Sequence, residues 1–135
     1  MQLSRPMLLV EGAEDDLSVT RSALGHLSAA ERMTWAAVPE VFTYLKKHGD
    51  PRPCVVLLSV DDSGDRLATL RTIKQDDQLR SIPVVVLGPS GNRHIVEESF
   101  GLGAAGYMAK SSDTEELSET MRTVYKYWSL SELPK

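Results

Sequence analysis

The stretch CVVLLSVDDSG, residues 54–64, is the clearest indication of the fold. Five consecutive apolar residues are followed at once by Ser59, and then by Asp61 and Asp62. A short run that is apolar at every position and rich in β-branched residues is typical of a strand covered on both faces, as in a parallel sheet. The sequence therefore predicts a buried parallel strand whose end presents a serine.

Similar apolar runs and intervening amphipathic segments extend this pattern along the chain. MLLV (7–10) and VVVL (84–87) are two more buried strands, and MTWAAV (33–38) and GYMA (106–109) are weaker ones. The segments 16–27, 39–49, 67–74, 92–103 and 114–128 have apolar residues three or four positions apart, which is typical of amphipathic helices. Strands and helices alternate five times. The sequence thus predicts an α/β fold with a five-stranded, doubly wound parallel sheet and five helices.

Composition limits the class of protein. The chain has 135 residues, the size of one domain, and we expect a single domain over 1–135 with a short C-terminal tail at 129–135. Its net charge of −4 argues against binding to nucleic acid, which requires clustered basic residues. The single cysteine, Cys54, lies in an apolar run, and the N-terminal apolar run is too short for a signal peptide or a membrane span. We expect a cytoplasmic protein with no membrane partner.

The predicted strand ends bring a small set of residues together. In open α/β sheets the working crevice lies beyond the carboxyl ends of the strands. Glu11 and Gly12 follow the first predicted strand, Ser59 the third, Gly88 the fourth and Lys110 the fifth. These five positions are the candidate site.

The segments LLVEGAEDD, GDPRPCVVLL, LRTIKQDDQLRSIPVVVL and LGAAGYMAK, in this order, resemble response-regulator receiver domains of the chemotaxis type. GDPRP, LRSIP and YWSLSELP are similar to the small single-domain regulators of bacterial phytochrome-like kinases. The resemblance implies a flavodoxin-like fold and a role in two-component signalling. It also implies phosphoryl transfer from a histidine kinase to an aspartate after the third strand, assisted by Mg²⁺, a hydroxyl residue and a lysine.

Several family positions differ in this chain. Ser59 stands at the phosphoacceptor position, Gly12 at the second acidic position and Gly88 at the hydroxyl position, while Glu11 and Lys110 are retained.

The aromatic switch position of the family is kept by Tyr107, beside which Gly88 leaves space, so the ring is expected to stay in one rotamer. Ser111 stands where the family normally has a proline, and the loop after Ser59 lacks the usual proline.

These differences remove the chemistry that the resemblance implies. A carboxylate attacks phosphorus as a preformed anion, whereas a serine hydroxyl requires a positioned base. Mg²⁺ is usually held by one or two carboxylates, yet only Glu11 is retained, and its charge balances that of Lys110. We expect these two side chains to pair. The chain is therefore interpreted as a pseudo-receiver with a vestigial site, without metal, cofactor or enzymatic activity.

Other interpretations stay open at this point. Asp61 or Asp62 is an alternative phosphoacceptor in a working regulator, and Glu11 with Asp61 is a weak alternative metal site. A small hydrolase with Ser59 as nucleophile and Lys110 as base is a third hypothesis. A nucleotide or flavin site is disfavoured because the first loop, EGAEDD, would repel phosphate.

Without phosphoryl transfer, function depends on the surface. The expected partner is a histidine kinase or another response regulator, and the resemblance implies a homodimer through the fourth helix, fifth strand and fifth helix. The candidate interface residues are Arg21, Leu24, His94, Glu98, Tyr107, Glu116, Met121 and Tyr125.

Overall fold

The strands form one parallel sheet. The computed structural model describes residues 7–11, 33–37, 53–110 and 113–130. The strands are β1 (Met7–Glu11), β2 (Met33–Ala37), β3 (Val55–Ser59), β4 (Val84–Gly88) and β5 (Gly106–Ala109), and their order in the sheet is β2-β1-β3-β4-β5. Every neighbouring pair is parallel, which confirms the predicted parallel sheet.

The strand β3 ends one residue later than its apolar run. Ser59 is still paired with Leu87 of β4, and the backbone N–H of Val60 donates to the carbonyl of Leu87 over 2.9 Å. The backbone ladder therefore continues past the last apolar residue. Ser59 and Gly88 are the last residues of two neighbouring strands, which places both at the carboxyl edge of the sheet.

Three helices lie in the described part of the chain: α1 (Leu67–Gln75), α2 (Arg93–Gly101) and α3 (Thr114–Ser129). They correspond to the third, fourth and fifth predicted helices. Asn92 and Asp113 cap α2 and α3 by accepting hydrogen bonds from backbone N–H groups of the first turn. The first two predicted helices lie outside the described residues, so the total of five helices stays a prediction.

The helices cover both faces of the sheet. Along β3, Val56 and Leu58 belong to a cluster with apolar residues of α1 and α2, whereas Val55 and Leu57 belong to a cluster with apolar residues of α3. This alternation is the side-chain period of a strand, and it confirms a sheet buried on both sides. β5 is an edge strand, with α2 on one side of the sheet and α3 on the other.

The end of α3 differs from the expectation. The helix includes Ser129, the first residue of the predicted tail, because the helical hydrogen bonding continues to that point. Trp128 packs against the α3-side cluster, whereas Leu130 is 80% exposed. Within the described ranges, no helix has the length and apolarity needed to span a bilayer.

Candidate functional site

Ser59 is the centre of the candidate site. As the last residue of β3 it lies between β1 and β4, and only 1% of its surface is exposed. A buried hydroxyl is stable only where it has hydrogen-bond partners. The identity of those partners determines what the site can do chemically.

Both oxygens of Ser59 accept hydrogen bonds from cationic side chains. Nζ of Lys110 donates to Oγ of Ser59 over 2.8 Å, and Nη1 of Arg66 donates to the backbone carbonyl of Ser59 over 3.1 Å. Sequence reasoning placed Ser59 and Lys110 at the same edge but missed Arg66. The available signal was that Arg66 is the only basic residue between Ser59 and the start of α1.

The acidic partners predicted for this edge are only partly described. Glu11 is the last residue of β1, which places its backbone at the carboxyl edge, but its side chain lies outside the described residues, as does Gly12. The pairing of Glu11 with Lys110 therefore stays a prediction. The contact of Lys110 with the hydroxyl of Ser59 was expected only under the hydrolase hypothesis.

The two loop aspartates accept hydrogen bonds, Asp61 from a residue of the same loop and Asp62 from the residue that caps α2. Oδ1 of Asp61 accepts hydrogen bonds from the backbone N–H of Ser63, over 3.0 Å, and from the hydroxyl of Ser63. Oδ2 of Asp61 lies 3.9 Å from Nη2 of Arg66. The hydrogen bond from the Ser63 hydroxyl lowers the pKa of Asp61 most, and the backbone N–H of Ser63 and the Arg66 charge also lower it. Oδ1 of Asp62 accepts from Nδ2 of Asn92 over 3.0 Å.

Gly88 and Tyr107 occupy the neighbouring part of the edge. The hydroxyl of Tyr107 donates to the backbone carbonyl of Pro89 over 2.7 Å. A Cβ atom on Gly88 would lie 2.5 Å from this hydroxyl oxygen. Burial raises the pKa of Tyr107, and the charge of Asp62 adds to the effect. The expected space beside Gly88 is thus filled by the Tyr107 side chain.

Comparison with known proteins identifies the family. No family model matches the chain. It is 30% identical over 132 residues to response regulator Rcp1 of Synechocystis sp., and the alignment covers 90% of this chain and 87% of that protein. The chain belongs to the response-regulator family. It is therefore a receiver-domain protein of two-component signalling.

Solved structures agree with this assignment. The fold is similar to the crystal structure of the phosphorylated cyanobacterial phytochrome response regulator RcpA, with a TM-score of 0.76 and 26% identity over 98% of this chain and 100% of that one. It is also similar to the Mn²⁺-bound form of Rcp1, with a TM-score of 0.74 and 26% identity over 97% and 99% of the two chains. These neighbours confirm the predicted receiver fold.

The described residues of this edge offer few ligands for the Mg²⁺ that the receiver family implies. Mg²⁺ requires oxygen ligands, at least some of them carboxylates. Ser59 offers no carboxylate, and both of its oxygens already accept hydrogen bonds from cations. Asp61 is oriented by Ser63 and Arg66. Among the residues described, no three His, Cys, Asp or Glu side chains are grouped as metal ligands would be.

The hydrolase hypothesis requires a hydrogen bond between Ser59 and Lys110, which is present, and an accessible nucleophile, which is not. The distance of 2.8 Å between Nζ of Lys110 and Oγ of Ser59 is within the range of a nucleophile and its base. Ser59, however, has only 1% of its surface exposed, so a substrate carbonyl cannot approach Oγ in this conformation. The geometry favours a structural hydrogen bond.

The predicted interface residues have mixed outcomes in this receiver. The side chains of His94 and Glu98 are 84% and 40% exposed, and Nε2 of His94 lies 3.6 Å from Oε1 of Glu98. Glu116 is exposed and Tyr107 is half-buried. Met121 was wrong as an interface residue: it is fully buried, because it lies on the apolar stripe of α3 that packs on the sheet. The remaining candidates, Arg21, Leu24 and the side chain of Tyr125, lie outside the described residues.

Sequence reasoning missed one exposed apolar side chain and only partly anticipated another. Phe100 on α2 is 50% exposed, although an apolar helical residue is expected to face the core. Tyr127 on α3 is 64% exposed and packs edge-on against Trp128, with ring centroids 4.8 Å apart. Three aromatic residues, Tyr125, Tyr127 and Trp128, are more than one buried stripe of α3 can use, and this excess was the signal for Tyr127.

Proposed function

We propose that this response regulator is a pseudo-receiver, which acts in a two-component pathway through protein contacts that do not depend on its own phosphorylation. The observation that carries the proposal is the pair of hydrogen bonds from Lys110 and Arg66 to the two oxygens of Ser59. A residue at the acceptor position that is neutral, buried and bound to cations is a poor nucleophile toward phosphorus.

The charge on Lys110 supports this view. Serine attacks only when a base removes its proton, and an ammonium group that donates a hydrogen bond to the hydroxyl oxygen has no lone pair for that proton. With Arg66 at the carbonyl of the same residue, the edge of β3 carries two positive groups. Both oxygens of Ser59 are thus engaged by donors, and a divalent cation would have to displace these hydrogen bonds to use either oxygen as a ligand.

Partner binding is assigned to the surface made by α2, β5 and α3. β5 is an edge strand, and the two helices present exposed apolar side chains, Phe100 and Tyr127, near their C-terminal ends. Exposed aromatic residues are over-represented where proteins bind one another. His94, Glu98 and Glu116 add polar groups to the same elements. The proposed partners are a histidine kinase, another response regulator, or a second copy of this chain in a homodimer.

The main rival is a working regulator that uses Asp61 or Asp62 as the phosphoacceptor. Asp61 is anionic at neutral pH, like any aspartate with an ordinary or lowered pKa, and 59% of its side chain is exposed. Neither aspartate occupies the strand end that the receiver fold gives to the acceptor. The rival therefore predicts a phosphoryl adduct in the loop after β3.

The test is incubation with acetyl phosphate and Mg²⁺, followed by intact mass measurement. We expect no phosphorylated species in the wild type, and none in Ser59→Asp, since Gly12 and Gly88 would still lack their side chains. A receiver with the usual acidic residues, treated in parallel, shows that the reagent is active. A stoichiometric adduct on the wild type would overturn the proposal. Peptide mapping with Asp61→Asn and Asp62→Asn would then show whether the loop aspartates carry it.

A further inference from the structure

Lys74, in the last turn of α1, lies near the start of β4, at the other end of the sheet from Ser59. Its Nζ donates to the backbone carbonyl of Arg80 over 3.0 Å and to that of Ile82 over 2.9 Å. Both acceptors belong to the segment that leads into β4. The ammonium group is therefore held by two backbone carbonyls, and in the described part of the chain these are its polar partners.

The aliphatic stem of Lys74 lies against the turn between α2 and β5. A Cβ atom on Gly103, which has a φ of 104°, would lie 3.3 Å from Cγ of Lys74 and 3.5 Å from its Cδ. The side chain as a whole is half-buried, so Nζ is within reach of a small reagent. The loss of hydration on burial lowers the pKa of Lys74, which raises the fraction of neutral amine at a given pH.

The two carbonyls match the donors of a neutral amine. An ammonium group has three N–H donors, and loss of one proton leaves two N–H donors and a lone pair. If both donors stay on the carbonyls of Arg80 and Ile82, the lone pair takes the remaining tetrahedral direction, away from both oxygens. The neutral amine of Lys74 is thus oriented as a nucleophile by the backbone alone.

We propose that Lys74 is a modification site, acylated at Nζ by a small activated acyl donor, either an acyl phosphate or an acyl thioester. The lone pair of Nζ attacks the acyl carbonyl carbon and a C–N bond forms. The bond from that carbon to the phosphate oxygen or the thioester sulfur breaks, and the leaving group departs with the electron pair. Nζ releases one proton to water, so the product is a neutral amide with a single N–H.

Acylation at this position changes the support of two segments. The single N–H of the amide can donate to only one of the carbonyls of Arg80 and Ile82, so the loop before β4 loses a hydrogen bond and a positive charge. The modified side chain also adjoins Gly103, in the turn that leads into β5. The acylation itself is independent of the pseudo-receiver function, and only its effect on the surface of α2, β5 and α3 rests on that proposal.

The experiment compares acetylation of Lys74 with that of Lys126, an exposed lysine of α3, in the same wild-type molecules. One arm uses acetyl phosphate and the other acetyl coenzyme A, both without Mg²⁺. Tandem mass spectrometry after digestion at acidic residues locates the acetyl groups, and Lys74→Arg, which keeps the charge, confirms the peptide assignment. We expect Lys74 to react several-fold faster than Lys126 with at least one donor, which identifies the donor class, and equally fast in urea, where the carbonyl pair is lost.

Two results would overturn the inference. One is acetylation of Lys74 that is no faster than that of Lys126 with either donor in the folded protein. The other is a preference for Lys74 that persists in urea, because it would then arise from the neighbouring sequence and not from the fold. Acetyl and phosphoryl adducts differ in mass, so the outcome is separate from the test of the pseudo-receiver function.

Discussion

Leu58 and Ser59 are neighbours in β3, and both are almost fully buried, with 0% and 1% of their surfaces exposed. Leu58 packs in a cluster of aliphatic side chains, and its burial is favourable in itself. Ser59 is buried at the strand end, where its hydroxyl and carbonyl are stabilised by Lys110 and Arg66. The comparison teaches that burial in the interior of the sheet is stabilised by apolar packing, whereas burial at its carboxyl edge depends on a few polar contacts, so we expect substitutions to cost more in the interior than at the edge.

The largest effect is expected in the interior. Leu58→Ala removes three methylene-scale groups from a packed cluster and leaves a cavity, which costs about 2–5 kcal/mol of unfolding free energy. Ser59→Ala at the next position should cost only about 0.5–1.5 kcal/mol, because it removes a hydrogen bond and leaves the ammonium of Lys110 accessible to water. Urea unfolding of both variants measures the two losses. Equal losses would remove the distinction between interior and edge.

A smaller loss of unfolding free energy is expected when the hydrogen bond between Lys110 and Ser59 is removed. Lys110→Met should cost about 1–2 kcal/mol, since it takes a charged donor from the buried hydroxyl of Ser59. Because each single variant also affects other contacts, the informative quantity is the coupling energy from Ser59→Ala, Lys110→Met and the double variant in urea unfolding. We expect the two losses to be clearly less than additive. Strict additivity would mean that the hydrogen bond contributes nothing to stability.

The fold was predictable from sequence because it depends on burial patterns that the sequence displays directly. The run CVVLL predicted β3 to within one residue, and the shift arises because backbone pairing with β4 continues after the apolar side chains end. The spacing of Leu67, Leu70 and Ile73 predicted the buried face of α1. In both cases the apolar character of the side chains is enough to predict which residues are buried.

The sequence predicted which residues lie at the candidate site, but not which side chains contact one another there. The strand-end rule and the family resemblance located Ser59, Gly88 and Lys110 correctly at one edge. The contribution of Arg66 was not predictable, since its guanidinium reaches back seven residues over a turn in which Gly64 has a φ of 72°. Met121 was misplaced because a residue four positions from Leu117 belongs to the buried stripe. Side-chain contacts across a loop depend on backbone conformation that a linear pattern does not contain.

The smallest effect is expected at the outer rim of the edge, at Asp61. Asp61→Asn keeps an oxygen for the hydrogen bonds from Ser63 and removes only the charge, so at pH 7 the unfolding free energy should change by no more than about 0.5 kcal/mol. The Ser63 hydroxyl, followed by its backbone N–H and by Arg66, lowers the pKa of Asp61 below 3.8 in the folded protein. The charged form is thus favoured by folding.

The sign of the pH dependence follows from that direction. The contribution of the Asp61 charge is fully present above pH 3.8, the unfolded value, and is lost as the pH falls through the lower folded pKa. Thermal unfolding at pH 7 and near pH 3 should therefore show the wild type losing slightly more stability on acidification than Asp61→Asn. Asp77→Asn is the control, since Asp77 is 91% exposed and lies far along the chain from the edge. If Asp61→Asn lost more stability than the wild type on acidification, the charged form of Asp61 would be disfavoured by folding, and the hydrogen bonds from Ser63 would not stabilise it as described.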